Sequence, residues 1–285
     1  MNPQFGTVVI VGVGLLGGSL GLALKQRGLA NLVRGVGRRK EVLDTALALK
    51  AIDEGTLDLG GAMKGADLVV LCTPAAQVPS QLDVVRTRIA PHVVVTDVAS
   101  TKAEICARVR TNWSEPYRFV GSHPMAGSEK YGPEHATATL YEGCITLVEP
   151  RNNHADDAYE KVVSLWAAVG ARVVEIPADL HDGIVAKTSH IPHIIAALVA
   201  EQAANAGDVK HLVGKGFRDV TRIAEGRAEI WRDICLTNRN AIAKGLREFG
   251  AQLNAVREMI EHGEADDLDR FFQAAQAARR KVLDE

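Results

Sequence analysis

Residues 7–18 read TVVIVGVGLLGG, and this stretch decides the fold of the N-terminal part of the chain. A β-branched apolar run ends in glycines at Gly12, Gly14 and Gly17, and the helical stretch Ser19–Gln26 follows. A strand, a glycine-rich turn and a helix in this order form the dinucleotide-binding fingerprint. Gly12 makes the tight turn, Gly14 admits the pyrophosphate and Gly17 allows close packing. We expect the pyrophosphate at the N–H groups that begin the helix.

The residues about twenty positions after the glycines choose between the two nicotinamide dinucleotides, because an NAD site has an acidic residue there for the ribose 2′-OH. This chain instead has Gly37, followed by Arg38 and Arg39. Guanidinium groups bind a phosphate through charge-assisted, bidentate hydrogen bonds. The stretch therefore predicts NADP as the cofactor and NAD as the second choice. The alternative interpretation is a solvated basic turn.

Length and charge limit the classes of function. A chain of 285 residues exceeds the usual single-domain size, which favours two domains. The formal net charge of −2 gives no electrostatic case for nucleic acid or an anionic membrane. No uncharged apolar run reaches about eighteen residues, so we expect neither a membrane span nor a signal peptide. The four cysteines form no disulfide pattern, which favours the cytoplasm.

The apolar pattern changes near Pro177. Before it, short β-branched runs alternate with helical stretches, which indicates βαβ units and a mainly parallel sheet. The predicted strands are Thr7–Val11, Val33–Gly37, Leu68–Cys72, Val93–Asp97, Phe119–Gly121, Ile145–Val148 and Val173–Ile176. The predicted helices that follow are Leu180–Ala206, Val209–Lys215, one within Ala228–His262, and a last one from Glu264. The sequence predicts an α/β fold: a Rossmann-type dinucleotide-binding domain at 1–177 and an all-helical substrate and dimerisation domain at 178–285.

Two polar strings follow predicted strands, where the carboxyl ends of a parallel sheet place substrate chemistry. The first, TDVASTK at 96–102, offers Ser100 as a site residue. Its alternative role is an N-cap, with Ser100 or Thr101 bonding the next helix. The second, GSHPMAG at 121–127, holds His123 on a predicted loop beside Pro124. A histidine fixed at a sheet edge suits a general base, because its pKa lies near operating pH.

Two further strings lie in the helical part. His190 and His193 are three residues apart, a spacing that could ligate a metal, with His181 and Asp182 as one source of further ligands. Pro192 between the histidines and the lack of a clear third ligand argue against a metal site. Asp219 and Arg222 share a helical face, which indicates either a surface ion pair or an arginine free to bind a substrate carboxylate in bidentate fashion.

Together these strings resemble the prephenate/arogenate dehydrogenase family of tyrosine biosynthesis over nearly the whole chain. The matching strings are GVGLLGGSL, LCTP at 71–74, TDVASTK, GSHPMAGSEKYG, SHIPH, GFRDVTRIA and WRDI at 231–234. The resemblance implies oxidative decarboxylation of a cyclohexadienol with a nicotinamide cofactor, and a helical domain that forms a homodimer. This reaction needs no metal, and we expect neither nucleic acid nor a membrane as a partner of the protein.

The matching positions imply individual roles. His123 is implied as the base at the 4-hydroxyl of the substrate, and Ser100 as its assistant. The substrate-binding residues implied by the match are Arg222 at a carboxylate, His190 near the side-chain end, and Glu129 and Asp219 in an ionic network. The residues implied beside the cofactor, in addition to the glycines and arginines, are Leu15, Leu16, Thr73, Pro74 and Ser100.

One departure from the family pattern bears on the substrate. The segment before WRDI reads Glu225-Gly-Arg-Ala-Glu229, and Arg227 would favour the more anionic prephenate only if it points inward. We therefore predict prephenate, with arogenate as the alternative substrate. A β-hydroxyacid dehydrogenase is a second hypothesis and would require a catalytic lysine, for which Lys187 is the candidate. A non-catalytic NADPH-binding protein is the third and would not need the clustered Ser, His and Arg.

Overall fold

Alternating strands and helices build the N-terminal part of the protein, and helices alone follow. The computed structural model describes residues 4–127, 130–152 and 154–283. The strands are β1 Phe5–Val11, β2 Ala30–Val36, β3 Glu54–Thr56, β4 Leu68–Leu71, β5 Val94–Asp97, β6 Phe119–Val120, β7 Ser122–Pro124, β8 Ile145–Val148 and β9 Arg172–Glu175. The helices are α1 Leu15–Gln26, α2 Lys40–Ala48, α3 Leu59–Ala62, α4 Val78–Arg86, α5 Ala103–Asn112, α6 Asp156–Ala168, α7 Ala178–Val185, α8 Ile191–Ala204, α9 Lys215–Thr221, α10 Ala228–Thr237, α11 Arg239–His262 and α12 Ala265–Leu283.

Six parallel strands form the main sheet in the order β3-β2-β1-β4-β5-β6. Successive residues of β1 point to opposite faces, as a strand requires. Val8 and Ile10 join one core cluster, whereas Val9 and Val11 join the other. Both faces of the sheet are therefore covered, which explains why its central strands are continuous apolar runs. The predicted Rossmann-type parallel sheet is confirmed.

A second sheet has the order β7-β8-β9 and contains His123. β7 runs antiparallel to β8, and His123 lies opposite Leu147. The prediction of a loop at His123 is therefore wrong. The sequence Ser-His-Pro has no β-branched run, and its strand forms only because β8 arrives from more than twenty residues away. The same lack of a local signal hid the short strand β3.

The helical part differs from the predicted helices at three places. Residues 178–204 are helical throughout, with a π-helical turn at Ala186–His190, just before Pro192, which has no N–H for the helical ladder. The predicted helix Val209–Lys215 is wrong, because α9 begins only at Lys215. The predicted stretch Ala228–His262 divides into α10 and α11 at Asn238.

The described chain forms two compact units that divide between Arg239 and Asn240. The first unit holds both sheets and helices α1–α10, and the second holds α12 and nearly all of α11. This division by compactness falls later than the change from strands to helices, which follows β9 at Glu175. The domain boundary at residue 177 remains a prediction about the dinucleotide-binding part.

One helical stretch, Ala178–Ala204, is long and apolar enough to cross a membrane by length and composition alone. The sequence criterion did not flag it because that criterion required a run without charges. His181, Asp182 and His190 of this stretch are buried and hydrogen-bonded within the first compact unit. We interpret it as a helix of the folded protein.

A buried ion pair joins β5 to the start of α5. Lys102 Nζ donates to Asp97 Oδ2, and both side chains are almost completely buried. Asp97 also accepts the backbone N–H groups of Ala99 (3.0 Å) and Ser122 (3.2 Å). One carboxylate therefore holds the turn after β5 and the first residue of β7 in place.

We expect Asp97→Asn to lower the free energy of unfolding by about 3–5 kcal/mol, because the substitution leaves the Lys102 ammonium buried without a counter-charge. The measurement is urea unfolding followed by circular dichroism. The matched control is Asp44→Asn, which removes an exposed partner of Lys40 and should leave the free energy of unfolding nearly unchanged, because solvent screens this pair. Equal losses in the two variants would contradict the structural role of the buried pair.

Candidate active site

A cavity of about 550 Å³ lies within the first compact unit, beside the carboxyl end of β5. Four groups of residues line it: Leu16 of α1, the turn after β5, strand β7 with the residues after it, and the helical part, which contributes the π-helical turn, α8, α10 and the turn before α10. The lining residues are Leu16, Val98, Ser100, His123, Pro124, Met125, Ala126, Gly127, Lys130, Tyr131, Ser189, His190, His193, Arg222, Ile223, Glu225, Gly226, Arg227, Ile230, Trp231 and Ile234.

A chain of hydrogen bonds connects a carboxylate to His123. His181 Nδ1 lies 2.7 Å from Asp182 Oδ1, and His181 Nε2 lies 2.9 Å from His123 Nδ1. His181 and Asp182 are buried, and His123 is the member of the chain that reaches the cavity. The order Asp182, His181, His123 therefore leads from the protein interior to the cavity.

This chain fixes the positions of the ring protons when both histidines are neutral. Asp182 accepts a hydrogen bond, so His181 carries its proton on Nδ1 and offers Nε2 as an acceptor. His123 must then donate from Nδ1 to His181. The remaining ring nitrogen of His123, Nε2, carries no proton and is the one available to the cavity. A histidine in this state can accept a proton from a bound hydroxyl group.

The surroundings of His123 also keep it neutral. Burial lowers the pKa of His123 well below 6.5, and electrostatic interactions with the His181, Lys102 and His190 side chains, which disfavour a proton on His123, lower it further. Burial lowers the pKa of His190 to about 4 for the same reason. Both rings are therefore uncharged near neutral pH, and His123 needs no deprotonation step before it accepts a proton.

Asp182 has a second task, at the start of α5. Its two carboxylate oxygens accept the backbone N–H groups of Lys102 (2.8 Å) and Ala103 (2.9 Å). An N-cap role for Ser100 or Thr101 is therefore wrong: an aspartate from α7 takes that role, and neither side chain caps the helix. Ser100 lines the cavity instead, near the end of the turn that follows β5.

An aromatic wall forms the side of the cavity contributed by α8 and α10. The rings of His193 and Trp231 are stacked, with centroids 3.4 Å apart and planes within 13°. His190 meets the edge of Trp231 and lies 3.2 Å from the side-chain amide of Asn238, which also donates to the Asp182 carbonyl. The predicted substrate residue His190 is thus linked to the same aspartate that orients His181.

Arginines supply positive charge to the cavity. Arg222 begins the 3₁₀ turn after α9 and lines the cavity, as does Arg227, which precedes α10. Asp219 is exposed on α9, outside the residues that line the cavity, and no ion pair joins it to Arg222. The predicted site residue Glu129 lies outside the described residues. The roles of Asp219 and Glu129 in an ionic network therefore stay predictions.

The glycine-rich turn fits a dinucleotide pyrophosphate. Gly12 has a φ of +94°, and a Cβ on Gly17 would lie 2.1 Å from the Gly12 carbonyl oxygen, so glycine is required at both positions. Gly14 faces open space and is the N-cap of α1, where no side chain caps the helix. The free N–H groups at the start of α1 are therefore available to an anion.

The remaining predicted cofactor residues lie around this turn or at the ends of its neighbouring strands. Leu15 and Leu16 begin α1, and Leu16 also lines the cavity. Thr73 and Pro74 follow β4, and the Thr73 hydroxyl donates to Gln81 Oε1 at 2.6 Å. Arg38 and Arg39 follow β2 and are exposed.

Several residues of the cavity were missed or misinterpreted at the level of sequence. His181 and Asp182 were considered only as metal ligands, whereas the structure bonds them to each other and to His123. Within the described residues, no group of three or more His, Cys, Asp or Glu side chains could hold a metal ion. Trp231 was noted only as part of a motif. The adjacent residues His181 and Asp182 were the available signal, but nothing in the sequence connects them to His123, which lies 58 positions earlier.

Known proteins share this architecture. Residues 20–175 match the family model described as prephenate dehydrogenase, nucleotide-binding domain, and residues 177–274 match the one described as prephenate dehydrogenase, dimerization domain. The chain is 32% identical to the prephenate dehydrogenase of Bacillus subtilis over 98% of this chain and 76% of that protein. It is 30% identical to the cyclohexadienyl dehydrogenase of Zymomonas mobilis over 96% of this chain and 95% of that protein.

A solved structure agrees with these matches. The prephenate dehydrogenase of Aquifex aeolicus, in complex with hydroxyphenyl propionate and NAD+, superposes with a TM-score of 0.92 at 28% identity, and covers 99% of this chain and all of that chain. The chain therefore belongs to the prephenate dehydrogenase family and is an enzyme that dehydrogenates prephenate-type substrates with a pyridine nucleotide.

Proposed function

We propose that the protein catalyses the NADP-dependent oxidative decarboxylation of prephenate to 4-hydroxyphenylpyruvate, with arogenate, which gives tyrosine, as a second substrate. The observation that carries this proposal is the hydrogen-bonded chain from Asp182 through His181 to His123, which ends in a cavity that also holds Arg222. A base at one end and a carboxylate-binding cation match a substrate with a hydroxyl group and carboxylates on opposite ring carbons.

The base acts on the hydroxyl group of the substrate. His123 Nε2 accepts the hydroxyl proton while the hydride leaves the same carbon, which becomes a carbonyl group. The nicotinamide, when bound at the glycine-rich turn, supplies the hydride acceptor. The new positive charge on His123 is stabilised through His181 by the Asp182 carboxylate, as in other histidine–carboxylate arrays. Ser100 lines the same cavity and is proposed to assist at the hydroxyl.

Loss of carbon dioxide completes the reaction. The oxidised ring is a dienone, and its ring carboxylate leaves as CO₂ while the electron pair of the broken C–C bond enters the ring. The carbonyl oxygen gains a proton, and the product is an aromatic phenol. Aromatisation makes this step irreversible, so the protein needs mainly to align the substrate and hold its anionic groups. Arg222 is proposed to bind one carboxylate, through bidentate hydrogen bonds.

The second hypothesis from the sequence is a β-hydroxyacid dehydrogenase. An enzyme of that class would need a lysine at the reacting carbon. Lys187, the candidate, is exposed and is not among the residues that line the cavity. The direct test of the proposed function is to incubate the protein with prephenate or arogenate, each with NADP or NAD, and to follow absorbance of the reduced nicotinamide. No reduction with either substrate would overturn the proposal.

We expect His123→Asn to lower kcat by roughly 10²–10⁴-fold with little change in KM, because asparagine keeps the size of the side chain but cannot accept the proton. In the wild type the acid limb of the kcat/KM profile should lie below pH 6.5, since burial lowers the pKa of His123. Activity is therefore retained above that pKa and lost as pH falls through it. The measurement is steady-state kinetics between about pH 4.5 and 9.

Asp182→Asn is the companion variant. An asparagine amide that donates to His181 Nδ1 would reverse the ring protons, so that His123 presents an N–H to the cavity instead of a lone pair. We expect a loss of kcat on the order of 10²-fold or more. The matched control is Asp179→Asn, an exposed aspartate on the same helix. An Asp182→Asn enzyme that folds and keeps a normal kcat would rule out the proton arrangement.

The preference for NADP rests on two exposed arginines. Neither Arg38 nor Arg39 has a side-chain hydrogen bond or ion pair to another described residue, so both guanidinium groups are available to a ribose 2′-phosphate. Gly37 stands where an NAD site has an acidic residue, so no carboxylate at this position repels that phosphate. The relative of known structure from Aquifex aeolicus was crystallised with NAD+. The two cofactors therefore have to be compared directly in this protein.

We expect kcat/KM to be roughly 10–100-fold higher with NADP than with NAD, from about 1.5–3 kcal/mol of charge-assisted hydrogen bonding. Arg38→Ala should remove most of this preference through a higher KM for NADP, whereas Arg86→Ala, an exposed arginine on α4, should not. Added salt should weaken NADP more than NAD, because the distinguishing contact is ionic and exposed. Equal kcat/KM values for the two cofactors in the wild type would contradict the proposal.

A homodimer and a cytoplasmic location complete the proposal. Apolar side chains are exposed within each compact unit: Leu180, Ile184 and Leu198 on α7 and α8, and Leu253, Ile260 and Phe272 on α11 and α12. Exposed apolar surface of this kind marks a protein interface. The match to a dimerization domain supports a second copy of this chain as the partner. All four cysteines are free, which suits a reducing compartment.

We expect sedimentation equilibrium to give a particle of twice the 30.6 kDa chain mass. Leu198→Lys should shift the protein toward the monomer, because a buried ammonium at the interface has no partner. Leu57→Lys is the matched control, since Leu57 is similarly exposed next to β3 in the dinucleotide-binding part. A fully active wild-type monomer would exclude the dimer.

A further inference from the structure

Arg227 and Tyr131 meet across the cavity from two distant segments. Tyr131 follows β7 by several residues, whereas Arg227 is the N-cap residue of α10. The guanidinium carbon lies 4.9 Å from the centroid of the Tyr131 ring, and both side chains line the cavity. A planar guanidinium on an aromatic face is a favourable cation–π contact. The mechanism described above uses neither residue.

The backbone keeps Arg227 at this position. A Cβ on the preceding residue, Gly226, would lie 2.4 Å from Trp231 Nε1 and 2.8 Å from His193 Cε1. The chain therefore passes directly over the stacked His193–Trp231 pair, at a distance that only glycine allows. Arg227 follows in an extended conformation, at the edge of the same aromatic wall.

Arg227 keeps most of its capacity to bind an anion. Among the described residues its ion pair is with Glu229, with 3.5 Å between Nε and Oε2, and each of the two side chains is about half exposed or more. An exposed pair of this kind contributes about 0–1 kcal/mol and yields readily to another carboxylate. Glu229 is also absent from the residues that line the cavity. A carboxylate bound inside would therefore compete well for the guanidinium.

The proposed substrate has two negatively charged groups. Prephenate carries its ring carboxylate and its keto-acid side chain on one carbon, opposite the carbon that bears the hydroxyl group. Both charges therefore lie at the end of the ring away from His123. Arogenate has the same ring carboxylate, but its side chain adds an ammonium group beside the carboxylate. A second arginine in the cavity, in addition to Arg222, would attract the anionic side chain of prephenate and repel the ammonium group of arogenate.

We propose that Arg227, held over the ring of Tyr131, is a specificity-determining residue that binds the side-chain carboxylate of the keto acid and disfavours a substrate with an ammonium group. This inference rests on the proposed function. Arg222 then serves the ring carboxylate, and the two arginines divide the two charges between them. Tyr131 is a positioning residue, because it acts on the substrate only through Arg227.

The test compares Arg227→Gln, Arg227→Lys and wild type with both substrates. For Arg227→Gln we expect KM for prephenate to rise about tenfold while kcat stays within about twofold, because the lost contact holds the substrate equally before and during the reaction. KM for arogenate should stay the same or fall. Arg227→Lys should be intermediate, since lysine keeps the charge but not the planar stacking group. The matched control, Arg108→Gln, removes an exposed arginine on α5 and should change KM and kcat for neither substrate.

A double-mutant cycle tests the role of Tyr131. Tyr131→Leu should shift the prephenate-to-arogenate ratio of kcat/KM in the same direction as Arg227→Gln, by a smaller factor. Tyr131→Leu in the Arg227→Gln background should have no further effect on that ratio. If arogenate gives no measurable rate, the inhibition constants of the two products, 4-hydroxyphenylpyruvate and tyrosine, are compared instead, because these products keep the keto-acid and amino-acid side chains of the two substrates.

The outcomes separate this inference from the proposed function. If the wild type reduces the nicotinamide with neither substrate, the proposed function fails. If the wild type is active and Arg227→Gln leaves the ratio of the two substrates unchanged, or lowers kcat/KM equally for both, the specificity role of Arg227 is wrong while the proposed function stands. A lower ratio confined to the Arg227 and Tyr131 variants supports the inference.

Discussion

The geometry of the active site depends on one buried carboxylate, that of Asp182. The carboxylate accepts hydrogen bonds from the first N–H groups of α5 and from His181 Nδ1. The backbone carbonyl of Asp182 accepts a hydrogen bond from the side-chain amide of Asn238. A helix start, a histidine and the α10–α11 junction therefore meet at one residue. Its two carboxylate oxygens accept hydrogen bonds from three donors, and this acceptor role sets the direction of every hydrogen bond toward His123.

A second carboxylate, Asp97, does the corresponding work on the sheet side. It holds the turn that carries Ser100 and the strand that carries His123, with Lys102 as its buried counter-charge. The base is therefore fixed from two directions: β7 positions its backbone and His181 fixes its ring. A base held in this way loses little motional freedom when substrate binds, so that binding can be used for alignment.

The cavity combines two kinds of side chain. His123, whose pKa is lowered by burial, is proposed to accept the proton, whereas Arg222 and Arg227 are proposed to bind the anionic groups of a substrate. The stacked His193–Trp231 pair lines the same cavity and, through Gly226, also sets the place of Arg227.

The sequence determined the features with local signals. The β-branched run before Gly12, the glycine spacing and the apolar pattern of β4 and β5 each act within one βα unit, so they predicted the Rossmann-type sheet. The sequence could not reveal β7, the Asp182–His181–His123 chain or the Arg227–Tyr131 contact. Each of these joins residues about twenty-five to a hundred positions apart, and only the tertiary fold, through strand pairing for β7 and the packing of helical segments for the other two, brings them together. The sequence named the chemical groups, and the tertiary structure decided which of them touch.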